Sequence, residues 1–141
     1  MNVNEQPALA EKLRRHFLSF PELPVSGGAF SLDGLNPEGE SMALQMNPGQ
    51  TVQTYLDGCR VIRQPFTINH RRSAAFGNSD RSAMIGGLNA LGGWLRGAPE
   101  PDLGPGARPR LLEQSTLASI IEQTATHLTY SAGYVLEYET D

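Results

Sequence analysis

Asp57-Gly58 lies between two runs rich in β-branched and aromatic residues, Thr51–Leu56 and Arg60–Arg72. Asp-Gly tolerates the left-handed backbone that a tight reversal needs, so in this setting it is a strong hairpin signal. It commits the middle of the chain to antiparallel β structure. Upstream, Met42, Leu44 and Met46 alternate with Ala43, Gln45 and Asn47, the pattern of a half-buried strand over 41–47. Asn47-Pro48-Gly49 then reads as a turn, so strands 41–47, 51–57 and 60–72 form a β-meander. Pro65 has no N–H to give a ladder, and so marks a bulge, an edge or a strand start within the third run. Beyond it, Phe66, Ile68 and His70 fall on one face, and Thr67, Asn69 and Arg71 on the other.

Helical periodicity flanks this β region. Over 5–18, Leu9, Leu13 and Phe17 recur at i, i+4 and i+8 between charged residues. Pro7 suits the first turn, Arg14, Arg15 and His16 complement the macrodipole at the end, and Pro21 and Pro24 stop the helix. Residues 25–40 are turn-rich, with one weak strand at Ala29–Leu32. A second helix is expected over 79–96, capped by Ser79 or Asp80. Its apolar stripe is Met84, Leu88, Leu91 and Leu95, widened by Ile85 and Trp94. Gly86, Gly87, Gly92 and Gly93 each weaken it by roughly 1 kcal/mol relative to alanine. Either a backbone or sheet packs closely on the Gly86, Ala90, Gly93 and Gly97 face, or the helix breaks near Gly92-Gly93.

Residues 97–110 hold four prolines and three glycines, and read as an exposed loop. Two final strands are expected at about 115–128 and 132–140, joined by polar Thr129–Gly133. In the last one Tyr134, Leu136 and Tyr138 alternate with Val135, Glu137 and Glu139. The order helix, meander, helix, hairpin predicts an α+β fold with a mainly antiparallel sheet and helices packed on one face. At 141 residues, one domain is expected.

Charge is segregated along the chain. The net charge of −4 divides into −4 over residues 1–57, +5 over 58–99 and −5 over 100–141. Neighbouring segments can neutralise one another inside one fold, or a basic patch on one copy can meet an acidic patch on the next. Ten of the eleven bases are arginine, a residue suited to fixed bidentate contacts. Hydrophobic residues at 39% and charged residues at 18% fit neither a disordered chain nor a membrane protein. The N-terminal stretch lacks the apolar core of a signal peptide, which leads to the expectation of a soluble, intracellular protein.

No motif for covalent chemistry stands out. The single cysteine, Cys59, excludes an internal disulfide and a multi-cysteine zinc site. His16, His70 and His127 are scattered without ligand spacing, and the only lysine, Lys12, precludes a phosphate-binding P-loop lysine elsewhere. No cofactor or metal is expected. Arg71 and Arg72, beside His70, are suited to phosphate contacts. The net negative charge argues against a dedicated nucleic-acid binder, though a basic lining around passing DNA is compatible with it.

The run Thr54-Tyr55-Leu56-Asp57-Gly58, then Arg63-Gln64 and Phe66, resembles the hairpin of a bacteriophage family of minor capsid or tail terminator proteins. Further matches follow in order. Leu13–Leu23, with Phe20-Pro21-Glu22-Leu23, resembles the opening helix and its exit. Asn89–Leu95 resembles the helix closing on Trp-Leu, and Pro109-Arg110-Leu111 and the strand of Tyr134, Leu136 and Tyr138 complete the series. Gly92-Gly93 and the proline-rich 97–110 depart from the family pattern. The resemblance implies a structural virion protein of a long, non-contractile tail. Six copies would form a ring on the head-proximal end of the tail tube, stopping its polymerisation. The expected partners are other copies of the chain, the major tail tube protein and a head-completion or connector protein. Passive contact with DNA in the lumen is compatible with this role, and no membrane is involved. The expected location is the phage tail, after assembly in the bacterial cytoplasm.

On this reading Arg60, Arg63, Arg71 and Arg72 lie at a subunit interface or line the opening, and Glu137 and Glu139 face a neighbour. Reversing the charge of Arg71 and Arg72 is then expected to impair assembly and leave folding intact. Two other classes compete. One is an α+β binding or regulatory module that uses its sheet face or glycine-rich helix as a groove. The other is a small enzyme built on dispersed Cys59, His70 and Asp80.

Overall fold

The computed structural model describes residues 6–23, 29–32, 40–73, 78–124 and 126–140. In chain order they form α1 (Gln6–Phe17), β1 (Phe30–Leu32), β2 (Ser41–Met46), β3 (Thr51–Thr54), β4 (Arg60–Ser73), α2 (Asn78–Leu95), β5 (Ala107–Gln123) and β6 (His127–Thr140). The fold is α+β. Its six strands make one mixed sheet of order β1-β2-β4-β6-β5, with β3 also paired to β4. Every pair is antiparallel except β1–β2, which is parallel. The turn-rich reading of 24–28 and 33–39 lies outside the described residues.

The expected meander is not formed. Both β2 and β3 run antiparallel to β4, so they run in the same direction along one of its edges. Met46 faces Phe66 and Thr51 faces Arg63, so residues 47–50 stand opposite only Gln64 and Pro65. Asn47-Pro48-Gly49 is therefore part of a bulge rather than a chain reversal. Pro65 explains its position, because it cannot donate to the ladder there. Its carbonyl accepts from the Asn47 N–H at 3.0 Å. The buried Gln64 amide donates to Asn47 O at 2.9 Å and to Pro65 O at 2.7 Å, and so satisfies the interrupted backbone.

The β3–β4 hairpin forms as the turn chemistry dictates. Gly58 N–H donates to Tyr55 O at 3.0 Å, and Tyr55 N–H donates to Cys59 O at 2.8 Å. The Asp57 carboxylate accepts from Cys59 N–H at 2.9 Å, and Gly58 has φ +90°. Such a loop is a turn closed by a residue in the left-handed region, which glycine adopts without steric cost.

One face of the sheet carries the core. Met42 and Leu44 of β2, Ile62, Phe66 and Ile68 of β4, and Leu128, Tyr130, Ala132, Tyr134, Leu136 and Tyr138 of β6 are all buried there. Leu9, Leu13 and Phe17 of α1 and Leu88, Leu91 and Leu95 of α2 join the same cluster, so both helices lie on that face. Phe17 meets Phe66 and Tyr134 edge-on at 5.9 and 5.8 Å, and Tyr134 stacks on Phe66 at 5.6 Å. The Tyr134 hydroxyl donates to Leu88 O at 3.0 Å and ties α2 to the sheet.

The helix α2 runs unbroken through Gly92-Gly93. Ser79 and Asp80 already lie inside the first turn of α2. A close approach exists, but not on the expected face. A Cβ at Gly86, Gly93 or Gly97 meets nothing within 4 Å, whereas one at Gly92 would lie 2.0 Å from Gln114 Oε1. Residues 97–110 are not wholly an exposed loop either. Leu103 is in the core, its carbonyl accepts from Lys12 Nζ at 2.7 Å, and β5 begins at Ala107.

The C-terminal hairpin reverses between Gln123 and His127, not at Thr129–Gly133. Thr124 Oγ1 accepts from His127 N–H at 2.9 Å, and Thr124 N–H donates to His127 O at 2.9 Å. The polar Thr129–Gly133 stretch continues β6, its register running from His127 opposite Ser73 to Thr140 opposite Arg60. β5 has 17 residues against 14 in β6, and four register shifts absorb the excess. Each such bulge bends the strand and increases its twist. Gly133 sits where β5 approaches closely, since a Cβ there would lie 3.0 Å from Thr116 Cβ.

Candidate functional site

The predicted charged residues divide into two groups along β4. At its start, Arg63 Nη1 lies 3.3 Å from Glu137 Oε2, directly across the β4–β6 ladder. Arg108 Nη2 lies 3.0 Å from Glu139 Oε1, and Arg110 Nε lies 3.9 Å from Glu137 Oε1. Hydrogen bonds from Arg108 and Cys59 hold the Glu139 carboxyl below its ordinary range. Glu137 and Glu139 thus bind arginines of their own chain. Sequence reasoning missed Arg108 and Arg110 as their partners, because only the β5–β6 register places them together.

At the far end of β4 the arginines turn into the fold. Arg72 Nε lies against Glu40 Oε2, and the same carboxylate oxygen is 3.5 Å from His70 Nε2. Burial, then the Arg72 charge, lowers the His70 pKa to about 4. Arg71 stands opposite Ser41 on one side and Thr129 on the other. Among the described residues its Nε and Nη2 are buried without a hydrogen-bond partner, as are Ser41 Oγ and Asn69 Oδ1. A charge reversal at Arg71 and Arg72 therefore perturbs the packed sheet as well as any assembly surface, contrary to the expectation that folding is untouched. Of the four basic candidates, Arg60 and Arg71 are partly exposed and have no acidic partner among the described residues, and only Arg60 lies near the hairpin.

The conspicuous surface is apolar and lies at two corners of the sheet. At one corner, the hairpin presents Val52, Tyr55 and Leu56 at 49%, 44% and 110% relative exposure. The strand β3 there pairs only with β4, and all four of its residues are exposed. At the other corner, β5 presents Leu117, Ile120 and Ile121 at 72%, 41% and 57%. Among the described residues this strand pairs only with β6, and on its outer edge the Ala118 N–H donates to Asn89 Oδ1 of α2 at 3.1 Å. Thr116 and Glu122, which bracket this stretch, align through β6 with Thr67 and Arg71 of β4. That places it roughly 30 Å along the strand direction from the hairpin tip, and about 10–14 Å across the sheet.

A cleft of about 380 Å³ lies under α1, lined by Leu9, Lys12, Arg60, Ile62, Leu103 and Tyr138 among others. Among the described residues no group of three His, Cys, Asp or Glu side chains is placed to hold a metal ion. Cys59 and His70 sit 11 positions apart, before and near the end of the extended strand β4. That is about 36 Å, so they do not form one site. Among the described residues no helix is long and apolar enough to cross a membrane. Comparison with protein-family models and with curated proteins finds no match.

Proposed function

We propose that the chain is a ring-forming structural subunit of a phage tail. It caps the head-proximal end of the tail tube, ends tube polymerisation and offers the surface to which a head-completion protein binds. The ring has six copies by resemblance to the tail terminator family, is made in the bacterial cytoplasm and resides in the virion.

The observation that carries this reading is the pair of sheet edges at opposite corners that no further strand covers among the described residues, each with exposed apolar side chains. Edges of this kind are aggregation hazards unless something covers them. Different patches on opposite sides of one chain favour head-to-tail contacts, which close into a ring when the rotation between copies permits. The hairpin that carries the family resemblance, Thr54–Gly58, forms one of these corners.

The direct experiment adds the purified chain to tail tubes assembling from the matching major tube protein and measures tube length by electron microscopy. Termination predicts tubes that stop growing and carry a ring at one end. Unchanged growth with no end-bound density overturns the proposal. The cleft under α1 supports a second reading, a small-molecule binding module, since its volume falls in the range of ligand pockets. A ligand-dependent rise in melting temperature, abolished by filling the cleft through Leu9→Trp, would favour that reading.

A further inference from the structure

We infer that the β3–β4 hairpin tip of one copy docks on the exposed stretch Leu117–Ile121 of β5 in the next copy. This rests on the ring reading and names its contact. Three observations support it. First, the exposed apolar residues are concentrated in these two places: Val52, Tyr55 and Leu56 at the tip, and Leu117, Ile120 and Ile121 on β5. Second, the patches lie at diagonally opposite corners of the sheet, roughly 30 Å apart along the strands. One chain therefore cannot fold its own tip onto its own β5 patch without dismantling β4.

Third, each apolar patch has a charge beside it, and the two charges are opposite in sign. Arg63, Arg108 and Arg110 are paired with Glu137 and Glu139. Arg60, at the base of the hairpin, has no acidic partner among the described residues. Glu122, next to Ile121, is exposed and likewise lacks a basic partner. Docking the tip on β5 sets Arg60 of one copy against Glu122 of the next. Asp57 at the tip is turned back onto the Cys59 amide. The contact is made by side chains rather than by ladder extension, because the bulges along β5 interrupt its register.

The geometry makes a specific prediction for mixtures. Leu56→Asp disables the tip and leaves the β5 patch intact, whereas Ile121→Asp does the reverse. Both side chains are exposed, so circular dichroism and melting temperature should match the wild type. Sedimentation velocity over a concentration series should show each variant alone with self-association weakened at least about 30-fold, the effect of losing one interface hot spot. Mixed in equal amounts, they share one good junction and should form a heterodimer that grows no further. Arg60→Glu should also weaken association, and Arg60→Glu with Glu122→Arg in one chain should restore it.

Outcomes that overturn the contact differ from those that overturn the ring. A wild-type chain that stays monomeric at every concentration, or a mixture that forms no heterodimer, overturns the contact. Rings that persist in Leu56→Asp overturn the contact but leave the ring reading standing. Contacts that obey the mixing rule but build open fibres support the docking and reject the closed ring.

Discussion

Replacing Tyr134 by phenylalanine tests how the core is built. The Tyr134 ring is fully buried, stacked on Phe66, and its hydroxyl donates to Leu88 O at 3.0 Å. Removing the hydroxyl leaves the ring packing in place. Leu88 lies mid-helix, so its carbonyl keeps its helical donor and is not orphaned. The cost near pH 8 is therefore the net value of one buried hydrogen bond, about 1 kcal/mol. Alkali should reverse the order. Burial pushes the Tyr134 phenol far above its ordinary value of 10.0, so the folded chain holds its proton where the unfolded chain releases it. A raised folded-state pKa contributes stability that is intact below pH 10 and lost as pH climbs, at about 1.4 kcal/mol per pH unit. By pH 11 the wild type has lost about 1.4 kcal/mol at this site, and Tyr134→Phe has lost none. Urea midpoints at pH 8 and pH 11 read the difference, and the other titrating groups, common to both proteins, cancel. The expected result is a deficit of about 1 kcal/mol for the variant at pH 8 that vanishes or inverts at pH 11. A deficit of the same size at both pH values would refute the buried, proton-holding phenol.

Further outcomes follow from single positions. Gly92→Ala should destabilise by about 1–3 kcal/mol, because its Cβ would meet Gln114, which is anchored to Asn89 Oδ1 and Thr116 O. Gly93→Ala, with open space around it, should stabilise α2 by about 0.5–1 kcal/mol, and thermal melts separate the two. His70 has a folded pKa lowered to about 4, so its contribution is full above pH 6.5 and is lost as pH falls toward 4. The size is up to about 3 kcal/mol, and His70→Gln should flatten the acid limb of a stability–pH curve. Gly58→Ala should cost about 1–2 kcal/mol at φ +90°, visible as a lower urea midpoint with an unchanged slope.

What the sequence disclosed depended on how local the determining physics is. The Asp57-Gly58 hairpin, α1 and the core face of β4 were legible because turn chemistry and periodicity act over a few residues. The Asn47-Pro48-Gly49 bulge was misread as a reversal because it looks like a turn until Pro65, eighteen residues away, is seen opposite it. Thr129–Gly133 was misread as a turn because its polarity is that of the non-core face. Gly133 is small for a tertiary reason, the close approach of Thr116. The site was less legible still. Glu137 and Glu139 were expected to face a neighbouring copy, whereas they pair with Arg63, Arg108 and Arg110 of their own chain, an arrangement that depends on register across three strands. The apolar face of β5 was hidden within a run that reads as an ordinary buried strand. Only its place at the edge of the sheet reveals that Leu117, Ile120 and Ile121 face solvent.

Native mass spectrometry of the full chain, with negative-stain images of the same sample, bears most directly on assembly. The account predicts one closed species of six copies, seen as an annulus with a central opening. A single chain at every concentration, or a two-fold dimer that buries like edges together, would contradict it.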